Sequence, residues 1–118
     1  MASKKNSLEA EIKREATRSY KENFGKGPDK TTVRVFDNIV AIKFEGALTT
    51  LEEKLINEKD GSKLVLEIRD TLLKKYVRDG MPIGFSEYIS AKYESTCHYL
   101  SQEKNILYTF LIFQDTVV

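Results

Sequence analysis

The sequence predicts an α+β fold in the order helix, hairpin, helix or helix pair, hairpin, with a four-stranded, mainly antiparallel sheet and helices packed on it. Three observations predict it. Apolar residues recur every four positions near the N-terminus, alternating apolar segments flank Asp37-Asn38, and Ile106–Phe113 is an apolar run of strand length. At 118 residues the chain is expected to be a single domain, 1–118, large enough to fold without disulfides or metal.

The first helix is expected from about Ser7 to Phe24, capped by Asn6 with Glu9 at the capping-box spacing. Leu8, Ile12, Ala16, Tyr20 and Phe24 form its apolar stripe, Gly25 ends it and Pro28 prevents its resumption.

The first hairpin joins Thr31–Phe36 to Ile39–Glu45 through two residues that tolerate positive φ. A two-residue turn pairs Phe36 with Ile39, Arg34 with Ala41 and Val33 with Ile42, and it gathers Val33, Val35, Val40, Ile42 and Phe44 on one face. Arg34, Lys43 and Thr32 take the other face, together with Phe36 and Ile39.

Gly46 breaks the strand, and Thr49 caps a helix with Glu52 in the reciprocal position. Asp60-Gly61 interrupts that helix, and Leu64, Val65, Ile68, Leu72 and Tyr76 continue its stripe until Asp79-Gly80. Residues 83–90 fit either a helical turn or a connection.

The second hairpin spans about Ala91–Leu100 and Ile106–Phe113, and two registers compete. A four-residue loop aligns Tyr93, Cys97 and Tyr99 with Ile112, Tyr108 and Ile106; a five-residue loop shifts the pairing by one. Alternation does not choose, because the last strand is apolar on both faces. Such a strand belongs inside a sheet, covered on both sides. The long second helical segment is expected to cover one side. The N-terminal helix or a second copy of the chain covers the other, and Phe36, Ile39, Tyr108 and Phe110 are the candidate interface of a homodimer.

Composition excludes several functions. A net charge of +1 gives no basic footprint for nucleic acid, and most aromatic residues sit at core-spaced positions. No apolar run approaches the roughly 20 residues of a bilayer span, so no direct membrane insertion is expected, and the N-terminus carries no apolar signal core. A cytoplasmic location follows, which suits the single Cys97.

Cys97-His98 would lie on opposite faces of a strand, unable to act as nucleophile and base. One Cys and one His do not make a metal site, and Glu52 and Glu53 fit the first turn of a helix. No enzyme activity, metal or cofactor is expected. Gly25-Lys26-Gly27-Pro28 follows a helix and precedes a strand, the reverse of a nucleotide-binding phosphate loop. Its amides, with Arg34, are the candidate site for a small anion: Gly25, Lys26, Gly27 and Arg34. Arg34, Lys43 and Arg69 are the candidates for a basic patch.

Gly25-Lys26-Gly27-Pro28, Val33-Arg34-Val35, Glu45-Gly46-Ala47-Leu48-Thr49, Leu51-Glu52-Glu53-Lys54-Leu55 and the Gly61–Leu72 helix with Arg69 resemble the MpsC-like family over about residues 5–114. Residues 81–105 follow the family pattern less closely. The resemblance implies a bacterial cytosolic protein associated with a cation-linked, membrane-potential-generating or inorganic-carbon transport system. A chain without a span would serve that system as an accessory or regulatory protein in a membrane transport complex. The resemblance assigns no active-site residues. The alternatives are a small-anion sensor and, last, an enzyme.

Overall fold

The first hairpin forms in the register its turn dictates. β1 (Lys30–Phe36) and β2 (Ile39–Glu45) pair from Phe36 with Ile39, through Arg34 with Ala41 and Val33 with Ile42, to Lys30 with Glu45. Asp37 supplies the positive φ of the turn, +55°. A computed structural model of the chain describes residues 4–76, 85 and 88–118.

β4 (Ile106–Phe113) lies between β2 and β3 (Tyr93–Ser101), in the sheet order β1-β2-β4-β3 with every neighbour antiparallel. The strand that is apolar on both sides is therefore interior. The register of its hairpin matches neither expectation. Ser101 pairs with Ile106, Tyr99 with Tyr108 and Cys97 with Phe110, and a bulge between Tyr93 and Ser95 absorbs one residue. The cause is Asn105, which leaves the strand at φ +56° because it is bound elsewhere. Its carbonyl oxygen accepts from the amides of Gly46 (3.0 Å) and Ala47 (3.2 Å), and its Oδ1 accepts from Leu48 (2.6 Å).

α1 (Lys4–Phe24) buries Leu8, Ile12, Ala16 and Tyr20 in the core against the inner faces of β1, β2 and β4. It begins ahead of Asn6, so Asn6 does not cap it. Glu9 turns to the sheet instead: its Oε2 accepts the Val35 amide at 2.7 Å. That bond occupies a backbone donor on edge strand β1, where free donors invite further strands.

α2 (Thr50–Leu55) has the expected capping box, Glu52 N to Thr49 Oγ1 at 3.2 Å and Thr49 N to Glu52 Oε1 at 2.8 Å. Asp60, at φ +60°, turns the chain into α3 (Gly61–Tyr76). A Cβ at Gly61 would overlap the Leu55 carbonyl oxygen, so glycine lets the two helices approach here.

α3 does not cover the sheet as its Leu64–Ile68 stripe predicts. Val65 and Arg69 are buried, whereas Leu64 and Ile68 are exposed. Bonds from Ser62 to Gln102 and from Arg69 to Tyr20 pin α3 at one end of the sheet, which turns the Gly61–Val65–Arg69 side inward. The expected stop at Asp79-Gly80 lies outside the described residues, as does half of 83–90. Within that segment the amides of Tyr88 (3.0 Å) and Ile89 (3.1 Å) bond the Phe85 carbonyl oxygen, a helical turn that buries Phe85 and Ile89 in the core.

Candidate interaction surface

Strand pairing sets the outer face of the sheet in rows. Phe36, Ile39, Ile112 and Ser95 are successive neighbours in one row, and Arg34, Ala41, Phe110 and Cys97 in the next. Thr32, Lys43, Tyr108 and Tyr99 make the third, and Lys30, Glu45, Ile106 and Ser101 the last. Side chains alternate across a strand, so every member of these rows faces away from α1.

The two faces differ in burial. On the inner face Val33, Val35, Val40, Ile42, Leu107, Leu111 and Phe113 are all buried. On the outer face none is, and Phe36 is 73% exposed, Tyr99 63% and Phe110 36%. Tyr99 and Tyr108 stack at a centroid distance of 6.2 Å. Four strands of about seven residues give a flat footprint of about 19 by 23 Å. β4 is apolar along the whole of that footprint, Ile39 and Ala41 extend it onto β2 and Phe36 onto β1, and Lys30, Lys43 and Glu45 occupy the opposite end of β1 and β2. Phe36, Ile39, Tyr108 and Phe110, the candidate interface residues, all lie on this footprint.

The candidate anion residues are placed apart. Gly25 takes φ +79° at the end of α1, and Gly25 and Lys26 are exposed. Arg34 stands four residues into the strand after Lys30, about 13 Å further along, where its NH1 donates to the Val33 carbonyl oxygen at 2.8 Å. The loop and the guanidinium do not converge.

Cys97 and His98 divide between faces as strand geometry requires. Cys97 is exposed on the outer face. His98 points inward, with Nδ1 3.1 Å from Thr109 Oγ1, and burial lowers its pKa against the opposing pull of Asp70. Among the described residues no group of three or more His, Cys, Asp or Glu is placed to hold a metal ion.

Arg69 belongs to no surface patch; it is 2% exposed. Its Nε and NH2 bond the Glu52 carboxylate at 2.7 and 2.6 Å, its NH1 bonds Tyr20 Oη at 2.6 Å, and its NH2 also reaches the Ala47 carbonyl oxygen. Phe24 lies under the guanidinium, 4.2 Å from ring centroid to Cζ. Tyr20 Oη completes the cluster with a 2.5 Å bond to the Ala47 carbonyl oxygen. Burial alone would raise the pKa of Glu52, but Arg69 and the Thr49 amide outweigh it and hold the carboxyl low. One guanidinium thus ties α1, the β2–α2 connection, α2 and α3 together. Arg69 lies one helical turn beyond Val65 on the buried side of α3, but its partners are distant in sequence, so spacing alone does not mark it as buried.

These features define a class: a helix-backed antiparallel sheet with an ionic clamp at one end and an outer face that none of the described helices covers. The chain belongs to the MpsC family, whose model, described as "Na+-translocating membrane potential-generating system (MpsC)", matches residues 4–115. The resemblance carried by the Gly-Lys-Gly-Pro and Glu-Gly-Ala-Leu-Thr segments is that family. No curated protein and no solved structure matches the chain. Among the described residues no helix is long and apolar enough to cross a membrane.

Proposed function

We propose that this chain is a cytoplasmic, non-enzymatic accessory or regulatory protein of a cation-linked membrane transport system, and that it works through protein contacts made as a homodimer. One observation carries the reading: β4 presents Ile106, Tyr108, Phe110 and Ile112 to the outer face, beside Ile39 and Ala41 of β2 and Phe36 of β1, and none of them is fully buried. An apolar patch of a few hundred Å² on a soluble chain marks an interaction surface. The family description supplies the system, a Na+-translocating one that generates membrane potential. The absence of a span among the described residues favours a subunit that binds such a system over one that conducts the ion.

The experiment is affinity capture of the tagged chain from native membranes and from cytosol, with Phe110→Asp as the control. A membrane transport subunit that co-purifies with the wild type and is lost with the variant is the expected result. A chain that returns no membrane protein, or that turns over a small molecule, overturns the proposal.

A further inference from the structure

Along the edge of the sheet, α1 and β1 are matched rung by rung. Glu9 Oε2 accepts the Val35 amide at 2.7 Å, and Thr17 Oγ1 lies 2.9 Å from Thr31 Oγ1. From the first rung to the last, eight helical residues rise about 12 Å and four strand residues about 13 Å, so the two elements run antiparallel in step. Lys13 is one turn from both Glu9 and Thr17, and Val33 is midway between Val35 and Thr31. Lys13 therefore stands opposite Val33.

This middle rung lacks an acceptor. The turn closes on Phe36 and Ile39, so alternation turns the amides of Arg34 and Thr32 to β2 and those of Val35 and Val33 to the edge. The bond from Val35 to Glu9 shows that direction. Val33 is 2% exposed, and among the described residues no oxygen accepts from its amide. A buried backbone donor without a partner is costly, which favours an acceptor from outside.

Cations surround that donor. Arg34 leaves β1 on the outer face, but its guanidinium returns to the edge, where NH1 donates to the Val33 carbonyl oxygen at 2.8 Å. Lys13 and Lys30 border the same open groove, about 650 Å³ in volume. Among the described residues none of the three cations forms an ion pair.

We propose that this groove binds a small oxyanion of the phosphate type, carrying at least two negative charges. One oxygen takes the Val33 amide, as the Glu9 carboxylate takes that of Val35. The others meet Lys13, Lys30 and the Arg34 guanidinium, in charge-assisted bonds stronger than the one Arg34 makes to its own strand. Three cations against one carboxylate, itself bonded to an amide, set the sign of the ligand. The site uses neither Gly25–Gly27 nor the apolar residues of the outer face.

The experiment titrates the isotope-labelled chain with inorganic phosphate, against sodium chloride at matched ionic strength, and reads the amide signals by NMR. The Val33 amide is expected to move furthest, and that of Val35, already bonded, only a little. Lys13→Ala and Arg34→Ala each weaken phosphate binding about threefold, and together about tenfold. Both side chains are exposed, so the fold is retained, which unchanged signals elsewhere in the sheet verify.

Lys13→Glu is the sharper variant. It sets a carboxylate opposite Val33, one turn beyond Glu9, and repeats the neighbouring rung. Without phosphate it should bond the Val33 amide and slow its hydrogen exchange about tenfold, and it should abolish phosphate binding. Glycerol phosphate, run beside inorganic phosphate, tells a free anion from the phosphate end of a larger molecule by which of them binds tighter. A Val33 amide that phosphate leaves in place, a response that chloride reproduces, or phosphate binding that survives Lys13→Glu overturns the proposal.

Discussion

Replacing Arg69 by Met tests how the helices are held to the sheet. The variant removes two bonds to Glu52, one to Tyr20 Oη and one to the Ala47 carbonyl oxygen, and keeps most of the side-chain volume. Breaking one side of a buried ion pair costs about 3–5 kcal/mol, chiefly because the other charge is left without a partner. Two features place this case at the low end. Glu52 Oε1 keeps the Thr49 amide at 2.8 Å, and Tyr20 Oη keeps the Ala47 carbonyl oxygen at 2.5 Å. A loss of about 3 kcal/mol, with an unfolding entropy of about 2.1 cal/mol/K for each of 118 residues, lowers Tm by about 12 °C.

The pH dependence separates this account from a simple packing loss. In the wild type the lowered pKa of Glu52 contributes stability that is fully present above the ordinary value of 4.5 and is lost as pH falls through the folded value. Without Arg69, burial dominates and pushes the Glu52 pKa up, so protonation relieves the stranded charge. The gap between wild type and Arg69→Met should narrow as pH falls from about 7 to about 4. Urea titrations at both pH values measure it. The double variant Glu52→Gln, Arg69→Met leaves no buried charge and should be more stable than Arg69→Met at neutral pH. A gap below about 1 kcal/mol, or one that does not change with pH, would refute the clamp.

Gly61→Ala forces a Cβ onto the Leu55 carbonyl oxygen and should cost about 1–3 kcal/mol in a thermal or urea melt, with α2 and α3 displaced. Glu9→Ala frees the Val35 amide on edge strand β1; it should cost about 1 kcal/mol and raise light scattering on storage, and Glu9→Gln should restore most of both. His98 is a base with a lowered folded pKa, so its contribution is present above the ordinary 6.5 and lost as pH falls from there; His98→Asn should flatten stability against pH just below 6.5. Phe110→Asp replaces a ring that is 36% exposed, and hence mostly covered, with a carboxylate on an interior strand, so it should lower the melting temperature by a few degrees besides any effect on association.

What was legible depended on whether two local signals agreed. At the first hairpin the turn residues Asp37-Asn38 and the alternation of Val33, Val35, Val40 and Ile42 select one register, and the chain adopts it. At the second, Ile106–Phe113 is apolar on both faces and has no preferred side, so the register was settled by Asn105. Its bonds to Gly46, Ala47 and Leu48 reach back some 57 residues in the chain. The interior position of β4 was legible from the same two-sided apolarity that hid its register. Arg69 was not, because the side chains that bury it are 17 and 49 residues away. A lone guanidinium in a helix looks solvated until its partners are known. Alternation groups Tyr108 with Phe110, and the two-residue turn groups Phe36 with Ile39, but only the β2–β4 pairing sets both pairs on one face, whereas joining Gly25–Gly27 to Arg34 needed a fold-back that a seven-residue strand forbids.

The inner and outer faces use the same strands for different ends. Inside, Val33, Val35, Val40, Ile42, Leu107, Leu111 and Phe113 are buried with residues of α1 and with Phe85 and Ile89. Outside, apolar side chains run along β4 from Ile106 to Ile112 and on to Ile39, Ala41 and Phe36, while Lys30, Arg34, Lys43 and Glu45 share the face on β1 and β2. The clamp around Arg69 sits away from this face, among α1, α2 and α3. The proposed association would therefore use a surface separate from the one that holds the helices to the sheet.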